Sequence, residues 1–219
     1  VKSWEVASID QPAHSRLALE WFNHLLGKVN ETLNTQFDQY RISEALMTVY
    51  TTFRDEFSSW LLEMIKPAYG QPIDRKTYEE TLNVFEQLLQ LLHPFMPFIT
   101  EEIYTHLPTV EGSIVIAQWP HYTEADNMAK EEDMMNLTMD GIRNIRNVRS
   151  EMNVPPSKKA KVIIVPTEEK KEAMEAGKDY FVTLSSASEV EIVADETNIP
   201  EDAVSVVIDG VKIFIPLDE

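Results

Sequence analysis

Residues Gly141 to Ala160 read GIRNIRNVRSEMNVPPSKKA. Two regimes of sequence meet inside this stretch. Up to Met152 the apolar residues Ile142, Ile145 and Val148 recur at helical spacing. Pro155-Pro156 then stops any helix, because proline lacks the amide proton and restrains the residue before it. Beyond the prolines the apolar period drops from 3.6 to 2, the alternation of a strand. The stretch is also basic. From Arg143 to Lys161, one residue past its end, Arg143, Arg146, Arg149, Lys158, Lys159 and Lys161 stand against Glu151 alone, a local balance of 6 − 1 = +5 in a chain whose net charge is −18, so the rest carries −23. Steps of three residues turn an α-helix by about 300°. The three arginines therefore form one ragged stripe beside the apolar one. Such a stripe suits a polyanion, and it equally suits an ordinary solvated face paired with acids.

Working toward the N-terminus, everything before residue 155 reads as helical. Leu17, Trp21, Leu25, Val29, Leu33 and Phe37 mark a first helix. Leu46 to Met64 marks a second, with Ser43 as its expected N-cap and Pro67 as its stop. Thr77 opens a third, broken at His93-Pro94. Pro94 and Pro97 bracket a turn into a short fourth helix, Ile99 to Leu107. Ile114 to Ala117 reads as an extended apolar run. A fifth helix spans about Ala129 to Met152. Short links make an antiparallel five-helix bundle over residues 1–154 the expected architecture. Working toward the C-terminus, Lys161 to Pro166 and Val190 to Ala194 read as strands. Glu168 to Ala176 and Asp179 to Ser186 read as two short helices divided by Gly177. Ser205 to Ile208 and Val211 to Ile215 flank Asp209-Gly210, a hairpin signal. Residues 155–219 are thus expected to form a small α+β unit with a C-terminal β-hairpin. The chain stops at Leu217-Asp218-Glu219, directly after a strand, which reads as an excised fragment.

Composition narrows the function. Cysteine is absent, which excludes disulfides, thiolate zinc sites and a cysteine nucleophile. No apolar run approaches a membrane span, and Val1 to Gln11 lacks the apolar core of a signal peptide, so a cytoplasmic protein is expected. The sequons at Asn30 and Asn136 are read as chance. No phosphate-cradling glycine motif is present. Glu102 and His106 share a helix face at a spacing a metal ligand pair uses, but no second helical histidine joins them, and no metal site or catalytic residue is assigned. A chain at −18 repels phosphate at long range, so any nucleic-acid contact must be local and guided by shape. Trp21 and Phe22 are adjacent and point about 100° apart on a helix. At most one is expected to be well buried on a given face, so the pair reads either as core packing or as a stacking surface for an unpaired base.

Several segments, taken in order, resemble the C-terminal portion of valyl-tRNA synthetases, class I aminoacyl-tRNA synthetases. Phe57 to Pro67 looks like their F-C-D-W-Y-L-E-x-x-K-P helix, departing at Ser58-Ser59. His93 to Ile103 follows H-P-x-x-P-F-I-T-E-x-I, which the valyl, leucyl and isoleucyl enzymes share in variants. Arg143 to Arg146 and Glu151 to Lys158 match R-N-I-R-x-E-M-N-[VI]-x-P of the valyl branch. Ile208-Asp209-Gly210 with Ile215-Pro216-Leu217 resembles the hairpin before that family's coiled-coil arm. The resemblance implies an anticodon-binding bundle whose partner is a valine tRNA. The parent would be a valine–tRNA ligase that uses ATP with Mg, its catalytic, editing and coiled-coil domains lying elsewhere in the chain. The H-I-G-H and K-M-S-K-S signatures are absent from this sequence, so no cofactor is assigned to it and no catalysis is expected of it alone. A monomer is expected.

The family's L-A-x-x-[WF] segment corresponds to Leu17-Ala18-Leu19-Glu20-Trp21, which implies an anticodon-facing role for Trp21. Glu20 replaces the usual arginine there. Candidate RNA contacts are therefore Trp21, Arg143, Arg146, Arg149, Lys158 and Lys159. The His93 to Ile103 signature is read as structural. An isoleucyl- or leucyl-type fragment and a helical protein-interaction module are the alternatives.

Overall fold

Hydrophobic spacing in the first half of the chain produces helices because each apolar stripe must be covered by another. The computed structural model describes residues 5–122 and 128–216, so Leu217 and its place in the hairpin resemblance lie outside the described residues. The elements run β1 (Val6–Ala7), α1 (Ala13–Asp38), α2 (Ile42–Thr51), a π-helical segment (Thr52–Leu61), α3 (Leu62–Ile65), β2 (Ile73–Asp74), α4 (Arg75–Leu92) and α5 (Pro97–Tyr104). A 3-10 turn (Ile114–Ile116), α6 (Ala129–Glu151), β3 (Ala160–Pro166), α7 (Lys171–Leu184), β4 (Ala187–Ile192), β5 (Val204–Ile208) and β6 (Val211–Ile215) follow. The described residues are mainly helical, with a four-stranded sheet and a separate two-residue strand pair. No helix among the described residues is long and apolar enough to cross a membrane.

The chain divides into two compact units, Val1–Met128 and Ala129–Glu219. The boundary expected at Pro155 is thus displaced to the start of the fifth helix. The physical reason is close packing of α6 on α7. A Cβ added at Gly141 would stand 2.8 Å from the Phe181 ring, and one added at Gly177 would stand 2.4 Å from Thr138 Oγ1. Two backbones that approach so closely belong to one core. The five-helix bundle over residues 1–154 gives way to a first unit without α6.

In the first unit, Arg41 rather than Ser43 occupies the N-cap position of α2, without a side-chain cap. Tyr40 adopts a left-handed conformation (φ 57°), and the Arg41 amide returns to the Gln36 carbonyl at 2.8 Å, a glycine-free helix stop. The second predicted helix is one rod with a π-helical middle. There the hydroxyls of Ser58 and Ser59 donate to the carbonyls of Phe53 and Arg54, five residues back, at 2.9 and 3.0 Å. Phe22, Phe53, Phe57 and Phe85 form the aromatic core beside it, with Phe57 stacked on Phe85 at 5.8 Å. Asp74 caps α4 by accepting from the Thr77 amide at 2.8 Å, so that helix starts before Thr77. β1 and β2 form a two-residue parallel pair, too short to leave a periodic signal in sequence.

The His93 to Ile103 signature closes a turn. His93 Nδ1 bonds the buried Thr100 hydroxyl at 2.7 Å, Pro97 starts α5, and Glu101 accepts from Ser113 Oγ and the Ile114 amide, each at 3.0 Å. Ser113 also caps the 3-10 turn, which is why Ile114–Ile116 coils where an extended run was expected.

In the second unit the sheet order is β4-β3-β6-β5, with β3 and β4 parallel across α7 and the other neighbours antiparallel. Asp209 and Gly210, both at positive φ, make the expected two-residue hairpin turn. The two helices expected around Gly177 are one, α7. Glycine costs about 1 kcal/mol in a helix relative to alanine, yet here it admits Thr138. Gly177→Ala is therefore expected to destabilise the unit by about 1–3 kcal/mol despite its better helix propensity. The Thr138 hydroxyl is buried without a partner among the described residues, so Thr138→Ala should cost little. The Gly177→Ala/Thr138→Ala pair should recover most of the loss in denaturant titrations. A single Gly177→Ala protein as stable as the parent would disprove the close approach.

Candidate nucleic-acid interface

Charge, hydrogen bonding and burial separate the six candidate residues. In the first unit, Trp21 is 3% exposed and Phe22 is fully buried, so both adjacent rings are core. The stacking reading of the pair gives way to core packing. The two rings meet edge to face at 5.9 Å, and Phe22 continues to Phe57 at 5.8 Å. An enclosed ring has no face left for a base, and Trp21 is thereby a packing residue in this structure. The hydrophobic spacing of α1 had already placed Trp21 in its apolar stripe. Rings with open faces lie elsewhere, at Tyr40, Tyr69 and Phe98. Tyr69 sits on the turn closed by Gly70 at φ 77°, where the Gln71 amide returns to Ala68. The Tyr-Gly pair at a proline-flanked break was the sequence signal for it.

In the second unit the arginine stripe divides by depth. Arg143 keeps its side chain 47% exposed and pairs with Asp140, one turn back, at 2.7 Å. Arg146 donates from Nε to the Leu184 carbonyl at 2.9 Å. That carbonyl closes α7, where the helix dipole favours a cation. Arg149 is buried, at 5% exposed. Its Nη2 donates to the carbonyls of Pro155, at 3.3 Å, and of Lys158. Arg149 therefore does not belong to the RNA-facing set. A buried guanidinium needs partners, and these carbonyls supply them.

The backbone explains why carbonyls are there to be clasped. Asn153 takes a left-handed conformation (φ 57°) at the end of α6, and the Val154 amide bonds the Arg149 carbonyl at 2.8 Å. This stop reverses the chain, and the Lys158 amide returns to Pro155 at 3.0 Å. The turn so formed is exposed from Pro155 through Lys159. Arg149 thus positions the segment that carries Lys158 and Lys159 outward. Lys161, next along, is committed to Glu191 at 2.8 Å and Glu189 at 3.9 Å across the sheet, which raises its pKa. Other lysines of this unit are likewise paired, Lys130 with Glu172 and Lys170 with Asp209.

The local charge that results is carried at the surface by Lys158 and Lys159 on the turn after α6 and by the exposed Arg143 and Arg146 on α6, the first shared with Asp140 and the second with the Leu184 carbonyl. It is chemistry for holding phosphates, which need point charges and donors but no cavity. The His106 ring bonds the Glu102 carbonyl oxygen at 2.7 Å, and its Nδ1 stands 4.0 Å from the Glu102 carboxylate.

The first unit is helical, and in the second α6 leads through a solvent-facing basic turn into a small sheet. The profile described as "Anticodon-binding domain of tRNA ligase" matches residues 20–164, and the chain belongs to that family. Its relatives include a valine–tRNA ligase of Phocaeicola vulgatus, 54% identical over 67% of this chain and 17% of the relative. The valine–tRNA ligase of Clostridium perfringens is 43% identical over 92% of this chain and 23% of its own length. That of Clostridium acetobutylicum is 40% identical over the same shares. The chain thus spans about a fifth of the length of these relatives.

Proposed function

We propose that residues 1–219 bind the anticodon stem-loop of a valine tRNA as one part of a valine–tRNA ligase. The observation that carries this reading is the family match across residues 20–164, which includes the basic end of α6. Arg143, Lys158 and Lys159 hold phosphates, while Arg149 keeps the lysine turn in place. Arg146 contributes from α6, steadied by its bond to the carbonyl that ends α7. We assign stacking of an unpaired base to Tyr69 rather than Trp21, because its ring stands open on the Ala68–Gln71 turn. The ATP- and Mg-dependent attachment of valine we assign to polypeptide outside residues 1–219, in a cytoplasmic monomer.

Salt dependence tests the reading. Each phosphate that is no longer neutralised lowers the slope of log K against log salt by roughly 0.7–0.9. Lys158→Glu and Lys159→Glu should each weaken binding of a valine anticodon stem-loop and flatten that slope by about one unit. Both residues are exposed, so stability should hardly move. Affinity and slope unchanged in both folded variants would remove the turn from the RNA surface. No RNA affinity at any salt would favour a protein-interaction module. Preference for an isoleucine or leucine tRNA would move the assignment to those branches.

A further inference from the structure

The dipeptide Asp-Gly occurs twice in the chain, at 140–141 and at 209–210. An aspartate followed by glycine is the aspartyl sequence most open to attack by its own backbone, because glycine puts no side chain beside the attacking amide nitrogen. By sequence the two sites are equals. Exposure and ion pairing do not separate them either. The Asp140 side chain is 58% exposed and pairs with Arg143 at 2.7 Å, and that of Asp209 is 77% exposed and pairs with Lys170 at 3.2 Å.

The backbone separates them. Asp140 and Gly141 lie inside α6, where the amides belong to the helical hydrogen-bond ladder. Gly141 is also pinned, since a Cβ there would stand 2.8 Å from the Phe181 ring and 3.3 Å from Ile208. Bringing its nitrogen to a carboxyl carbon requires breaking the helix and opening that contact. Asp209 and Gly210 are instead the two residues of the β5–β6 turn, beyond the last ladder pair, Ile208 and Val211. Asp209 holds φ 30°, a region unfavourable to a residue with a Cβ, so rotation out of the turn relieves strain. Two contacts oppose that rotation. The Thr167 amide donates to the Gly210 carbonyl at 3.0 Å, and the Lys170 ammonium holds the Asp209 carboxylate.

We propose that Asp209 is a modification site of this protein, isomerising to isoaspartate through a succinimide, and that Lys170 restrains the reaction. The Gly210 amide nitrogen attacks the carboxyl carbon of the neutral Asp209 acid. A C–N bond forms, the C–OH bond breaks, and the hydroxyl leaves with the amide proton as water. Water then adds at the former main-chain carbonyl of Asp209 and breaks its bond to nitrogen. The chain now runs through the side-chain carbon and is one carbon longer, with the α-carboxylate free. No oxidant or cofactor enters. The lengthened turn no longer fits the register of Ile208 with Val211 and Val207 with Lys212. Strand β6 is an inner strand that also pairs with β3, so the modification loosens the sheet from that end.

Peptide mapping after prolonged incubation at physiological temperature tests the proposal, because aspartyl and isoaspartyl peptides share a mass and differ in retention. In the folded protein isoaspartate should accumulate at 209 at least roughly tenfold faster than at 140, since a turn opens locally far more readily than a helix interior. In denaturant the two rates should converge. Lys170→Met should speed the reaction at 209 by roughly two- to fivefold, the worth of a partly exposed ion pair. Lys170→Arg should keep the parent rate, with melting curves showing that both variants are folded. Amide exchange along β6 should quicken in the isoaspartyl fraction. Equal rates at the two sites in the folded protein, or a faster rate at 140, would overturn the proposal. So would a folded chain free of isoaspartate at 209 when the denatured chain forms it. That comparison uses the unaltered chain and stands even where a variant fails to fold. A folded Lys170→Met protein that reacts at the parent rate would overturn the restraint assigned to Lys170.

Discussion

Trp21→Ala is expected to lower the stability of the first unit by about 3–5 kcal/mol, the cost of truncating a buried tryptophan. For a unit of this size that corresponds to a fall of about 10–20 °C in melting temperature. The magnitude follows from position. The ring lies in the stripe that α1 turns inward, in edge-to-face contact with Phe22, which in turn meets Phe57. Removing it opens a cavity that the aromatic neighbours cannot collapse to fill, since each is held by the next. Trp21→Phe should recover much of the loss. Affinity for the anticodon stem-loop, measured well below the melting transition, should change little. The opposite pattern, an unchanged melt with affinity weaker by the roughly 1–3 kcal/mol of a stacked base, would return Trp21 to the RNA surface and require a different packing of α1.

Arg149→Glu should be about as damaging to the second unit, by about 3–5 kcal/mol. The substitution places a carboxylate in a buried site facing the carbonyl oxygens of Pro155 and Lys158. It removes two charge-assisted bonds and adds repulsion where water is excluded. Arg149→Met separates the two effects. It loses only the bonds, which are worth about 1.5–3 kcal/mol each to a charged donor, and adds no carboxylate, so a smaller loss than for Arg149→Glu is expected. Amide exchange over residues 155–160 should quicken in both variants. RNA affinity should fall in the folded Arg149→Met protein, because the lysine turn loses its anchor. Its salt slope should fall less than in Lys158→Glu, because the charges removed differ: one was never on a phosphate. A folded Arg149→Glu protein of unaltered stability would mean that the guanidinium is not the clasp.

These two residues also show how far a sequence reading reaches. Element types were legible, since they depend on local period and on breakers. Pro155-Pro156, Asp209-Gly210 and the two prolines around Phe95 marked real boundaries. What misled were features whose outcome depends on a distant neighbour. Gly177 looks like a helix break, and it continues α7 because Thr138 of α6 occupies the space of a side chain. Ile114–Ile116 has the composition of a strand, and it coils because Glu101 and Ser113 take its amides. Adjacent Trp21 and Phe22 cannot both face one neighbour, and both are buried because α1 is covered on more than one side.

The candidate site divides along the same line. The sequence by itself determined that the cations gather around the end of α6, because charge is a property of residue type and the stripe follows from helical spacing. It determined the succession of helices and then strands, because hydrophobic period is written locally. Only the tertiary structure decided which cations face outward. Arg143, Arg146 and Arg149 are equivalent by spacing, yet one lies at the surface, one is anchored to the end of α7, and one is sealed beneath the turn it holds. Only the tertiary structure assigned α6 to the sheet rather than to the bundle, because that depends on how closely two backbones approach. Burial is a relation between segments far apart in the chain, and no local pattern contains it.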